Sequence, residues 1–304
     1  MSQQQDAQAQ ASNVADREIV LIADDDDDDA ASAIQSSVAS SSVSLNSSIL
    51  DHRFENGRTY HKYKEGKYIL PNDETENDRL DLQHHLFRLT FNGRLANAPP
   101  SDEGAQVGRV LDLGTGTGIW ALEFGDEHPE AEILGVDLSP TQPDFVAPNV
   151  KFKIDDIEEP WTYSKKFDYI HSRLLNLSIG NWEVYVKQCF DNLNPGGYVE
   201  FNECDVYPMS NDGSLKSNSA ILQSCKLLQE ATEQTYGRPL KLMRDLKITF
   251  IEAGFVDVQA LQFKWPTNPW PKDPRFKELA TWMSENLLTG WELICLAHLA
   301  RGLS

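Results

Sequence analysis

The chain has 304 residues, 40% hydrophobic and 24% charged, with a formal net charge of −20 at pH 7. That length and composition allow one large α/β domain plus a tail, and the acidity disfavours non-specific binding to nucleic acid or anionic lipid. No dense Lys/Arg window, no apolar run of about 18 residues and no secretory start stands out, so direct nucleic-acid contact, a transmembrane helix and a signal peptide are not expected.

Residues 1–50 hold nine acidic residues, six of them the run Asp24 to Asp29, against the single base Arg17. Ser-rich sequence follows from Ser32 to Ser48. Such a stretch buries too little apolar surface to offset its ordering entropy, and residues 1–58 read as a disordered tail. The Asp run is either a solvated face or a docking segment for a basic partner. Order is expected from near Tyr60. A helical segment occupies 59–104, in which Asp73 is placed to cap a helix with Glu76 three residues on. Leu80, His84 and Phe87 then share one face.

From Val107 short apolar runs alternate with helical stretches, over a third region spanning 105–304. Strands are predicted at Arg109–Leu113, Glu132–Val136, Val150–Ile154, Phe167–His171, Tyr198–Glu203 and Val256–Phe263. Helices are predicted near Ile119–Glu127, Trp182–Leu193, Lys216–Thr235 and Met243–Ala253, with an apolar helix after Pro274. This alternation predicts an α/β fold with a doubly wound, mostly parallel, Rossmann-like sheet. Cys189, Cys204, Cys225 and Cys295 show no CxxC pair and no zinc-like spacing. Reduced thiols in an intracellular protein, and no metal, are the expectation.

The chemistry concentrates in Val110-Leu-Asp112-Leu-Gly114-Thr115-Gly116-Thr-Gly118-Ile-Trp120. Glycines at alternate positions between a strand and a helix let the backbone turn sharply and approach a ligand where a Cβ would clash. A dinucleotide fingerprint GxGxxG requires glycine at position 119, which is Ile119, so a nicotinamide oxidoreductase is disfavoured. The D-x-G-x-G-x-G spacing instead resembles motif I of the class I S-adenosylmethionine-dependent methyltransferases. A carboxylate such as Asp112 near a sulfonium is electrostatically favourable.

The second predicted strand ends at Asp137, followed by Leu138, 19 residues beyond Gly118. An acid there can accept both ribose hydroxyls. The third strand ends in Asp155, Asp156 and Ile157. The resemblance implies that an aspartate here meets the adenine amino group while an apolar residue packs on the ring; by register these are Asp156 and Ile157, with Asp155 as the alternate. S-adenosyl-L-methionine is thus the implied cofactor. The strings YILPNDETENDRLDLQHHLF, VLDLGTGTGIWA, FDYIHSRLLNLSIGNW, NLNPGGYVEFNE and KWPTNPWP further resemble the fungal LaeA-like methyltransferases, over roughly Tyr60 to Leu299. In that family the upstream segment is similar to a lid over the cofactor, which implies that Tyr68, Arg79 and His84 lie near the site. Arg79 pairing on its own helix and His84 merely packing are the equal alternatives. The resemblance implies a last strand past 292–301, so either the sheet lacks its final strand, leaving an exposed edge, or the fold compensates.

Methyl transfer chiefly requires alignment of nucleophile, methyl and sulfur with water excluded. After the fourth strand the chain reads His171-Ser172-Arg173, not the Asn/Asp-Pro-Pro-aromatic motif of many amine methyltransferases. His171 is either a base toward a hydroxyl or carboxyl acceptor or a hydrogen-bonded strand residue. Arg173 either holds an acidic substrate or bridges to a carboxylate. Two functions remain open. One is a methyltransferase acting on an unidentified small-molecule acceptor, in the secondary metabolism that the resemblance implies. The other is a methyltransferase-like regulator working through a protein partner. The cytoplasm is the expected location, with the nucleus reachable through a partner.

Overall fold

The computed structural model describes residues 21–23, 52–55, 57–64, 67, 70–210 and 212–302. Most of the 1–58 tail, and Tyr68, therefore lie outside the described residues. A short strand β1 (Leu21–Ala23) registers antiparallel on the strand Lys166–Arg173, with Leu21 opposite Ile170. An antiparallel hairpin follows, β2 (His52–Glu55) and β3 (Arg58–His61), with Glu55 opposite Arg58. Regular structure thus starts before Tyr60. Between the two strands Gly57 takes φ 80°, a conformation that favours glycine.

Helix α1 (Glu74–Thr90) begins at the Asp73 N-cap, whose carboxylate accepts the Glu76 N–H at 3.1 Å. The same carboxylate pairs with Arg58, the Nη2–Oδ1 distance being 2.6 Å, so one residue ties the hairpin to the helix. Five parallel strands then alternate with helices: β4 (Arg109–Leu113), α2 (Ile119–Glu127), β5 (Glu132–Asp137), β6 (Val150–Ile154), β7 (Lys166–Arg173), α3 (Trp182–Asp191) and β8 (Leu193–Asn202). Their order across the sheet is β8-β7-β4-β5-β6. Burial on both faces explains why Val110, Leu111 and Leu113 of β4 are all fully buried, whichever face they point to. Helices α4 (Ala220–Tyr236), α5 (Met243–Ala253) and α6 (Pro274–Gly302) complete the chain. Left-handed Gly237 and Gly254 terminate α4 and α5.

Residues 256–263 correct the strand prediction. Their apolar pattern suits a strand, but among the described residues no ladder partner meets them, and Val256 is 81% exposed. A strand without a partner leaves its backbone groups unsatisfied, so the segment runs as irregular chain.

Two apolar clusters set the site's frame. The main core packs Trp120, Phe124, Tyr169, Trp182 and Tyr185 around the sheet, each large side chain contributing about 1.5–3 kcal/mol by burial. The second joins Leu86 of α1 to Leu279 and Met283 of α6, with Trp265 against them. Trp265 Nε1 donates to Thr90 Oγ1 at 2.8 Å, and Arg275 donates to the last carbonyls of α1. The fully buried Glu200 accepts the N–H groups of Asn97 and Ala98 at 3.0 Å. Helix α1 is thereby tied to α6, and the segment after it to β8.

Candidate active site

The loop after β4 turns on three glycines in the left-handed region: Gly114 (φ 66°), Gly116 (59°) and Gly118 (82°). A Cβ on Gly118 would stand 2.5 Å from the Phe152 ring, and one on Gly114 2.6 Å from Leu175 Cδ2. The loop is therefore a cradle that side chains would fill. The Gly116 peptide is clamped at both ends: its N–H donates to Asp137 Oδ2 at 2.9 Å, and its carbonyl accepts from Thr141 Oγ1 at 2.8 Å and Gln142 Nε2 at 2.6 Å. Nothing in the motif points to Thr141 or Gln142.

Asp137 also accepts the Ser139 N–H at 2.9 Å, and the Leu138 N–H faces the same carboxylate. Burial raises its pKa to about 6 against the pull of these N–H groups, and Asp112 adds to the rise. Ser139 Oγ beside it is buried and has no hydrogen-bond partner in the described structure.

Asp112 is buried and braced on both oxygens. Oδ2 accepts from Thr115 Oγ1 at 2.5 Å, and Oδ1 lies 2.7 Å from His171 Nδ1. The other ring nitrogen of His171 is 3.2 Å from Asn202 Nδ2. A carboxylate accepts and an amide NH2 donates, so the network assigns the His171 proton to Nδ1. The ring lies flat on Trp120, centroids 3.8 Å apart at 6°, and only 1% of the residue is exposed.

At the end of β6, the Asp156 carboxylate lies 3.1 Å from Lys64 Nζ and 3.2 Å from Lys67 Nζ, and Oδ1 accepts the Glu158 N–H at 3.0 Å. Burial opposes its ionisation, but these partners outweigh it and hold the pKa below the usual value. Asp155, by contrast, pairs with Lys153 at 2.9 Å on the solvent side. Ile157 packs on the main core, and its carbonyl accepts from Trp161 Nε1 at 3.0 Å.

Helix α1 presents its polar residues to different neighbours. Buried Arg79 donates Nε to Glu76 at 2.8 Å and Nη1 to Asn286 of α6 at 3.2 Å. Thr117 Oγ1 donates to Asp81 at 2.7 Å, and Leu80 lies against Gly116. His84 bridges Arg173, whose Nη1 is 3.2 Å from Nδ1, and Glu123, whose Oε2 is 3.0 Å from Nε2. Arg173 also covers the Phe87 ring at 5.1 Å. So Arg173 and His84 are brought together, while Arg79 turns toward α6.

Glu203 was not foreseen. Its oxygens accept the N–H groups of Leu175 at 2.8 Å and Asn176 at 3.2 Å, and burial pushes its carboxyl up to about 8. It pins the turn after β7, where Leu174 takes φ 55°. An acid just past the end of a parallel strand was the available signal. Near these strand ends a cavity of about 310 Å³ is lined by Asn176, Asp205, Tyr207, Gln229 and Lys241. Trp265 is a brace between α1 and α6, and Trp270 is 74% exposed. Among the described residues no group of three or more His, Cys, Asp or Glu is placed to hold a metal, and no helix is long and apolar enough to cross a membrane.

A parallel sheet of this order, with a glycine cradle after its first parallel strand and carboxylates at the ends of the next two, has the architecture of the Rossmann-like S-adenosylmethionine-dependent methyltransferases. A family model described as a methyltransferase domain matches residues 82–259. Methyltransferase pytC of Aspergillus terreus is 41% identical over 254 residues, covering 83% of this chain and 77% of the relative. Secondary metabolism regulator LAE1 of Cochliobolus heterostrophus is 36% identical over 250 residues, 81% of each chain. Probable methyltransferase tdiE of Emericella nidulans is 36% identical over 229 residues, 75% of this chain and 70% of the relative. The chain belongs to this methyltransferase family and is an S-adenosylmethionine-dependent enzyme.

Proposed function

We propose that the enzyme methylates a small-molecule acceptor of secondary metabolism and that its cofactor lies across the C-terminal ends of β4, β5 and β6. The observation that carries this reading is the cradle: three left-handed glycines with Asp137 bonded to the middle one. When bound, S-adenosylmethionine supplies an electrophilic methyl on a sulfonium. Gly114, Thr115, Gly116 and Gly118 would hold its amino-acid end, with Asp112 providing a negative field rather than an open hydrogen-bonding oxygen. Asp137 and Leu138 would meet the ribose, Ser139 Oγ being a free partner for the same hydroxyls. Asp156 would meet the adenine amino group and Ile157 its ring, in exchange for part of the Lys64 and Lys67 contact.

His171 is best read as a positioning residue. Sealed under Trp120 and bonded at both nitrogens, it orients Asp112 and cannot reach an acceptor proton without leaving its stack. Arg79 is likewise read as the anchor of the lid helix to α6, while His84 and Arg173 stand on the cleft side. The cavity beside Asn176 and Tyr207 is the candidate acceptor pocket. The enzyme's residues then contribute alignment and exclusion of water, the main requirements of this transfer.

A second reading is a regulator acting through a protein partner, which the relatives named as secondary metabolism regulators favour. A cytoplasmic enzyme, or a nuclear one carried by its partner, suits either reading. Calorimetric titration with S-adenosylmethionine of the wild type and Asp137→Ala tests the cofactor assignment. Micromolar binding lost in the variant supports it, and equal affinity for both proteins overturns it. Turnover on a panel of small-molecule acceptors then separates the enzyme from the regulator.

A further inference from the structure

Arg173 ends β7 level with the glycine cradle, since the β4–β7 ladder pairs Asp112 with His171 and Leu113 with Ser172. His171 and Arg173 alternate onto one face of the sheet, the face that carries Asp112. The guanidinium there has one side-chain hydrogen bond, to the imidazole of His84, and one ring beneath it, Phe87. Among the described residues no carboxylate lies within ion-pair distance of it. Asp112, Glu123 and Asp81 act on it only through space.

A guanidinium has five N–H donors in a fixed fork, and among the described residues only one is used here. Withdrawing such a cation from water costs free energy unless an anion meets it. The loss of solvent is visible in its pKa, lowered to about 10, which still leaves it charged at neutral pH. The fork is also aimed. Burial, then the Arg173 charge, lowers the His84 pKa to about 4, so its ring is neutral. Nδ1 then accepts from Arg173 while Nε2–H donates to Glu123, which is itself fixed by Arg88 at 2.6 Å. The lid helix thus supplies a neutral acceptor that orients Arg173 without neutralising it.

We propose that Arg173 is a carboxylate-binding residue, oriented by His84, that recognises a carboxylate brought into the cleft by either the methionine end of the cofactor or the acceptor. Asp112 and Arg173, opposite charges on neighbouring strands, complement a zwitterion, which favours the cofactor as the source. This inference rests on the methyltransferase reading above.

The test is calorimetry on wild type, Arg173→Gln and Arg173→Lys with two ligands, S-adenosylhomocysteine and 5′-methylthioadenosine, which lacks the amino-acid end. Loss of a charged hydrogen-bond partner should weaken S-adenosylhomocysteine by about tenfold or more in Arg173→Gln, with 5′-methylthioadenosine unchanged. Arg173→Lys, which keeps the charge but not the fork, should fall between. The ratio of the two affinities within one protein does not depend on the fraction folded, and Arg173→Lys supplies that ratio if Arg173→Gln does not fold. A second arm titrates benzoate into each protein saturated with S-adenosylhomocysteine. Benzoate binding lost in Arg173→Gln, with both nucleosides unchanged, places the carboxylate on the acceptor. Equal loss of both nucleosides, or no change with any ligand, overturns the proposal. Failure of wild type to bind either nucleoside would instead sink the methyltransferase reading itself.

Discussion

His171 donates its Nδ1 proton to Asp112 across 2.7 Å, from a ring stacked face to face on Trp120. A histidine and an aspartate at the ends of adjacent strands suggest a catalytic pair, yet this one is sealed inside the protein. The carboxylate it braces also receives Thr115, so the pair shapes the first turn of the glycine loop.

His171→Gln should therefore destabilise the protein by about 1–3 kcal/mol, the cost of leaving a buried acceptor short of a partner. Urea denaturation measures this. Cofactor affinity should weaken with it, while the pH profile of turnover keeps its shape. A stable variant whose activity collapses and loses a pH limb would show that the imidazole is the base after all.

Asp137 yields a pH dependence with a definite sign. Its folded pKa of about 6 lies above the ordinary aspartate value, so the neutral form gains population as pH falls through 6. The carboxylate is the better acceptor for ribose hydroxyls, and cofactor affinity should fall between pH 7 and 5. Asp137→Asn should bind weakly with no slope over that window. For folding the sign is reversed: a raised pKa favours the fold below the unfolded value and loses that advantage as pH climbs to 6.

Gly118→Ala places a methyl 2.5 Å from the Phe152 ring on a backbone at φ 82°. Left-handed strain alone costs on the order of 1–3 kcal/mol, and the loop must shift as well. Thermal denaturation should show a lowered Tm and calorimetry a loss of cofactor binding. Adding Phe152→Leu should recover part of the Tm and little of the binding, because the strain in φ remains.

Arg79→Met should cost about 3–5 kcal/mol by leaving Glu76 buried without its cation. Its effect should fall on the packing of α1 against α6, since Arg79 also reaches Asn286. Hydrogen exchange would then rise in α1 and α6 and stay unchanged in β4 and β7. Uniform exchange across the sheet would contradict a local anchoring role.

Much of the frame was legible from short-range pattern. The runs around Val110, Ile133 and Val150 are strands because β-branched and apolar residues cluster between breakers. Asp73 caps α1 because a carboxylate three residues ahead of Glu76 meets a free N–H, and Gly118 turns where a Cβ has no room. Each depends on residues a few positions apart. The other half of the site depends on residues far apart in the chain. Arg79 finds Asn286, Lys64 and Lys67 find Asp156, and Arg173 finds His84. Whether a polar side chain pairs, packs or faces the cleft turns on what burial removes from water and which partner packing then brings within hydrogen-bond reach. That is why the same sequence pattern left His171 and Arg173 open between two roles, and why the segment 256–263 could look like a strand yet pairs with none among the described residues.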